Sequence, residues 1–198
     1  AAMTYYPASP EFYLYHAYAC QFNNQHAEAI RILRNGKELV IDNARLSSSF
    51  YSCLGDSYFH LGNAQECFDA MEGALKYSPT DPLILNNYAY YLAENKSSLD
   101  KAASMSAKSN ELKPNDASYE DTFAWICYKQ AKYEMALQWI ERSIMHDPKQ
   151  AEALVHKGDI LCKLSRINEA HEAWLGARAL GLKNEKLDQK ITMRQCID

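Results

Sequence analysis

The residues able to do chemistry in this sequence are thinly spread. Six histidines (His16, His26, His60, His146, His156 and His171) and six cysteines (Cys20, Cys53, Cys67, Cys127, Cys162 and Cys196) scatter along the chain. His16 and Cys20, at i and i+4, could share one ion, but a zinc site needs three or four protein ligands. No C-x-x-C, H-E-x-x-H or G-x-S-x-G motif and no glycine-rich phosphate loop is present, and only seven glycines occur. Catalysis needs a nucleophile, a base and an orienting group that converge; the sequence offers none, so no enzyme, cofactor or metal is expected. The cysteines read as buried thiols on packed helix faces, where Cys behaves as a small hydrophobe. That favours a reducing compartment, with a thiol-containing envelope protein as the alternative.

At 198 residues and 47% hydrophobic, the chain can bury a sizeable core. The formal net charge is −4 with Lys and Arg dispersed among carboxylates, which disfavours nucleic acid because phosphate binding needs clustered cations. No window approaches the roughly 18 consecutive apolar residues of a membrane span, and no charged and hydrophobic leader opens the chain.

The elements that could position a binding surface show themselves as a repeat. Small residues at Ala17, Gly55, Ala89, Ala124 and Gly158 are separated by 38, 34, 35 and 34 positions. A second set, Ala29, Cys67, Ala102, Ala136 and Ala170, follows at 38, 35, 34 and 34. Pro79, Pro114 and Pro148 close three of the repeats, where proline stops a helix. Helices crossing closely need a small residue at the contact and aromatic or leucine side chains in the adjoining holes. Tyr51, Leu54, Gly55 and Tyr58 supply such a face at i, i+3, i+4 and i+7, answered by Cys67, Met71 and Ala74. Phe123, Ala124, Cys127, Ala136 and Ile140 repeat the pattern.

The stretch from Tyr51 through Leu54-Gly55, Tyr58, Cys67 and Met71 to Pro79 resembles the 34-residue pattern of tetratricopeptide repeat (TPR) proteins. The run from Asn86 to Ile144, with NNYAYYLA and DTFAWICY, is also similar to multi-repeat TPR proteins of the bacterial cell envelope. The resemblance covers roughly residues 10–182 and implies an all-α fold: a right-handed superhelix (α-solenoid) of antiparallel helix pairs. The repeats are expected at 10–47, 48–81, 82–116, 117–150 and 151–183, with a capping helix over 184–198. Residues 1–9 read as the end of a preceding repeat's second helix, making the chain a fragment of a longer array. Repeat one carries Ile41 in place of the closing proline and four extra residues, so its second helix is expected to run long. Repeat three has one extra residue near Asn95–Ser98.

In TPR proteins the first helices line the concave surface. The resemblance therefore implies a ligand-binding groove containing Tyr18, Phe22, Asp56, Phe59, Asn86, Tyr90, Asp121, Trp125, Tyr128, Lys129 and Asp159. Along the full inner stripe six carboxylates (Glu11, Asp56, Glu94, Asp121, Glu152 and Asp159) meet two lysines (Lys129 and Lys163), so a neutral or basic protein or peptide is the expected partner. Leu14, Tyr18 and Ser52 stand where chaperone-tail-binding repeats carry basic or amide groups, which sets that subfamily aside. Two roles stay open for the aromatics: binding anchors, or packing between neighbouring first helices. The functional expectation is a protein–protein interaction scaffold. Self-association through an uncapped end, a spacer role in an envelope assembly, or service as the targeting arm of an enzyme are the alternatives. Periplasmic or outer-membrane association is placed ahead of the cytoplasm.

Overall fold

The computed structural model describes residues 9–197, so the expectation for residues 1–9 lies, but for Ser9, outside it. Among the described residues eleven α-helices and no strand occur: α1 Pro10–Phe22, α2 His26–Lys37, α3 Ala44–His60, α4 Ala64–Tyr77, α5 Pro82–Glu94, α6 Leu99–Leu112, α7 Ala117–Lys129, α8 Tyr133–His146, α9 Ala151–Lys163, α10 Ile167–Ala179 and α11 Glu185–Met193. The chain divides into two compact units, the first ending at Tyr91 and the second beginning at Leu92.

Helix starts and stops follow local chemistry. Asn43, Asp116 and Asn184 accept backbone N–H groups of the first turn through their side chains, at Leu46, at Ser118 and Tyr119, and at Leu187. Each first helix ends in the same way, on a left-handed residue: Asn24, Gly62, Lys96, Ala131 and Ser165. These positions are 38, 34, 35 and 34 apart, the same intervals as the small residues of the first helices. In each case that residue and the next donate to carbonyls three and five positions back, as Gly62 N to Phe59 O and Asn63 N to Tyr58 O, both 2.9 Å. This pairing satisfies two of the orphan carbonyls of a helix end.

In the first unit α1 packs on α2, α3 on α4, and α3 also contacts both α2 and α1. In the second, α7 pairs with α8 and α9 with α10, while α7 packs on α6, α9 on α8, and α11 on α10. All ten small residues of the two sequence registers are buried. The reason is steric: a Cβ on Gly55 would lie 2.5 Å from Met71 Sδ, and one on Gly158 would fall inside the Trp174 indole. The core of the second unit gathers Ala124, Ile140, Ile160, Leu161 and Trp174, and Leu187 and Ile191 bring α11 into it.

One helix length differs from expectation. α2 is short, at 12 residues, and α3 is long, at 17 against 13 for α1, α5, α7 and α9. The extra residues are therefore added to the front of α3 instead of the end of α2. Asp42 in a left-handed conformation breaks the chain, and the Asn43 cap then starts a new helix four residues early.

Candidate functional site

Each unit carries a cavity against its first helices. That of the first unit, about 220 Å³, is lined by Tyr18, Gln21, Ser49, Ser52, Cys53, Asp56, Asp81, Leu83, Ile84 and Asn87. Gln21 ties α1 to α3, its Nε2 donating to Cys53 O and Ser57 Oγ, both at 2.8 Å. The Tyr91 hydroxyl donates to Asp56 Oδ1 at 2.7 Å, and burial, then the Asp56 charge, push that phenol upward in pKa. Phe59 stacks on Tyr91 at 4.3 Å and meets Tyr90 edge-on at 5.8 Å. Of the expected groove residues, Tyr18 and Asp56 line this cavity, while Phe59 and Tyr90 form an aromatic cluster with Tyr91. Phe22 is 89% exposed and stands outside the lining. Asn86 is buried with an unpaired Oδ1, and its neighbour Asn87 takes the lining position. The lining holds two carboxylates and no Lys or Arg.

The cavity of the second unit is larger, about 440 Å³, and is lined by Glu94, Lys96, Trp125, Tyr128, Lys129, Tyr133, Asp159, Lys163, Lys186 and Ile197. Trp125 forms part of its wall. The indole stacks with Tyr128 at 4.8 Å and with His156 at 4.2 Å, with interplanar angles of 5° and 18°. Its Nε1 donates to Glu94 Oε1 at 2.6 Å, and Lys129 Nζ lies 4.5 Å from the ring and 3.1 Å from the same carboxylate oxygen. Burial of Glu94 acts to raise its pKa, but the hydrogen bonds from Trp125 and Lys129 outweigh it and hold the carboxyl low. His156 Nδ1 sits 2.7 Å from Asp121 Oδ1. Burial would depress the imidazole, yet Asp121, followed by Asp159 and Glu94, keeps it above its ordinary value. Trp125, Tyr128, Lys129 and Asp159 thus share one cavity, with Asp121 behind it.

Charge in this cavity departs from the acidic bias of the stripe. Four lysines meet two carboxylates, because the turn after α5 brings Lys96 and α11 brings Lys186, neither of them a first-helix residue. Both carboxylates are also engaged internally. Asp159, 8% exposed, accepts Lys190 Nζ at 2.5 and 2.6 Å and Trp174 Nε1 at 3.1 Å. The thiol reading of the cysteines needs correction at two positions: Cys162 and Cys196 form a disulfide, and the other four are buried free thiols. The two cysteines stand 34 positions apart, one repeat length, a signal that is lost when each is read separately as a packed thiol.

Residues the stripe missed, among them Tyr91, Lys96, His156, Lys186 and Ile197, include two with a readable signal. Polar partners one repeat apart are joined at a separation of 35: Asp56 with Tyr91, Glu94 with Lys129, Asp121 with His156. Applying the repeat period to charge as well as to size would have found Tyr91 and His156.

Helix pairs closed in this register have solved counterparts. PilF of Pseudomonas aeruginosa is similar with a TM-score of 0.76 at 17% identity, covering 93% of this chain and 83% of that one. YrrB, a TPR protein with an unusual peptide-binding site, is similar with a TM-score of 0.65 at 18% identity, covering 97% and 96%. The fold is that of the tetratricopeptide repeat. A TPR repeat-containing protein of Pseudomonas aeruginosa is 23% identical over 149 residues, 75% of this chain, and the chain spans about a quarter (24%) of that relative's length. No family model matches the sequence. The tetratricopeptide-repeat fold is in general a scaffold for protein–protein interaction, in which stacked helix pairs present extended binding surfaces.

Proposed function

We propose that this chain acts as an interaction scaffold that grips extended peptide segments in its two first-helix cavities. The observation that carries the reading is the cavity walled by Trp125. Aromatic rings with polar edges, held rigid by Glu94, His156 and Lys129, give a large contact area at small entropic cost on binding. A neutral or basic segment suits the Asp56 and Asp81 cavity of the first unit. At the Trp125 cavity the lysine excess reverses the preference, towards an apolar or aromatic side chain flanked by acidic groups.

The test is fluorescence anisotropy with short labelled peptides of net negative, neutral and net positive charge. Trp125→Ala with Tyr128→Ala should abolish binding of the acidic set, and Asp56→Asn should weaken the basic set. Undiminished affinity in variants with native circular dichroism moves the sites off these cavities.

A second reading, self-association or a spacer role, is favoured by one feature. Tyr15, Tyr18 and Phe22 are exposed together along α1, a spacing that places them on one face. Light scattering of the chain and of a Phe22→Asp variant separates this case, since self-association through that face should be lost in the variant.

A further inference from the structure

The cysteines exist in two chemical states, and the residue that follows the oxidised pair lines a cavity. Cys20, Cys53, Cys67 and Cys127 are buried thiols. Burial pushes Cys53 and Cys67 up to about 12 and Cys127 to about 11, where almost no reactive thiolate forms near neutrality. Cys162, in the last turn of α9, is bonded to Cys196, with Cα atoms 5.7 Å apart. The next residue, Ile197, lines the cavity together with Trp125, Tyr128 and Lys163.

Among the described residues, little else fixes that segment. α11 ends at Met193, and Arg194 follows in a left-handed conformation with φ 50°. Residues 194–197 belong to no helix and, among the described residues, make no side-chain hydrogen bond or ion pair. α11 itself has separate anchors: Leu187 and Ile191 sit in the core, and Lys190 pairs with Asp159. Breaking the disulfide therefore loosens the segment after α11 without removing what docks α11. Access is asymmetric as well, since Cys196 is exposed and Cys162 is buried.

We propose that Cys162–Cys196 is a redox-operated strap: the disulfide holds Ile197 in the lining of the Trp125 cavity, and reduction releases residues 194–197 so that a partner segment can enter. This rests on reading that cavity as a binding site. The reductant is a dithiol. Its thiolate attacks the exposed Cys196 Sγ, the S–S bond breaks, and Cys162 leaves as a thiolate that takes a proton. The second thiol of the reductant then attacks the mixed disulfide, releasing Cys196 as a thiol and leaving the reductant oxidised. Two electrons and two protons pass to the protein.

Hydroxyl-radical footprinting read by peptide mass spectrometry tests the strap without needing a ligand. Three samples are compared: the oxidised chain, the same chain reduced with dithiothreitol and desalted, and a Cys196→Ser variant. Labelling of Trp125 and Tyr128 should rise several-fold in the reduced chain and in the variant, while the buried Trp174 stays equally protected. Prior reduction should add nothing in the variant. Unchanged labelling of Trp125 and Tyr128 overturns the proposal. So does loss of Trp174 protection, because the bond would then be holding the fold and not gating the cavity. Failure of the binding-site reading is seen separately, as peptides that bind Trp125→Ala and the unaltered chain equally while the footprint still opens on reduction.

Discussion

Trp125 and Glu94, 31 positions apart, are joined by a 2.6 Å hydrogen bond from the indole Nε1 to a carboxylate oxygen. Lys129 completes the arrangement by meeting both the carboxylate and the face of the ring. An anion, a cation and a ring thus fix one another at the wall of the cavity. Glu94→Ala should cost about 1–3 kcal/mol, since hydrogen bonds to a charged group are lost. Glu94→Gln should cost less, because an amide oxygen still accepts from Trp125. Urea denaturation of the two variants checks the ordering, and equal losses would show that the indole hydrogen bond carries no weight.

His156 should make stability depend on pH in a defined direction. Its folded pKa is raised by Asp121, Asp159 and Glu94 against the opposing effect of burial. Its contribution is then fully present below the unfolded value, about 6.5, and is lost as pH rises through the folded value. The stability difference between the unaltered chain and His156→Gln should be largest in mild acid and shrink towards alkaline pH. Denaturant titrations across that range are the measurement, and a difference that grows with pH contradicts the assignment.

The Asp159–Lys190 pair is almost wholly enclosed, with side-chain exposures of 11% and 4%. Removing one member strands the other charge, so Asp159→Ala should cost about 3–5 kcal/mol. Adding Lys190→Met should recover part of that loss, because no orphan charge remains. A double variant less stable than Asp159→Ala in urea titration would refute this account of the pair.

Close packing and backbone strain predict opposite outcomes at two small residues. Gly158→Ala presses on a Trp174 indole already held by Asp159, and should cost about 1–3 kcal/mol. Ala131 occupies the left-handed position that Gly62 fills in the first unit, at φ 59°. Ala131→Gly relieves a penalty of about 1–2 kcal/mol, offset in part by the greater chain entropy of glycine, so it should be neutral to stabilising. Thermal melts should show a lowered Tm for Gly158→Ala and an unchanged or raised one for Ala131→Gly.

The helix-pair fold was legible because its requirements are local and repeat. A close helix crossing demands a missing side chain at one position, and that demand returns every 34 or so residues as Ala17, Gly55, Ala89, Ala124 and Gly158. Much of the candidate stripe was legible for a related reason: helical spacing alone puts Ser49, Ser52 and Asp56, or Trp125, Tyr128 and Lys129, on one side. The paired groups one repeat apart, Asp56 with Tyr91 and Asp121 with His156, were also present in the period, although size alone did not mark them.

Local spacing therefore encodes the periodic part of this protein: helix pairs, their small-residue contacts and the residues that share one side of each first helix. Tertiary structure decided what is not periodic. Lys96 and Lys186 change the charge balance of a cavity from outside the first helices, Asp159 is withdrawn by Lys190, and Cys196 reaches back to Cys162. These contacts join a repeat to a turn, to α11 or to the segment after it, and although Cys162 and Cys196 stand one repeat length (34) apart, the residues beyond α10 form no further helix pair in which that period would assign partners. Their meeting follows from how helix pairs pack in three dimensions, because electrostatic and covalent partners are selected by distance in space and not by separation along the chain.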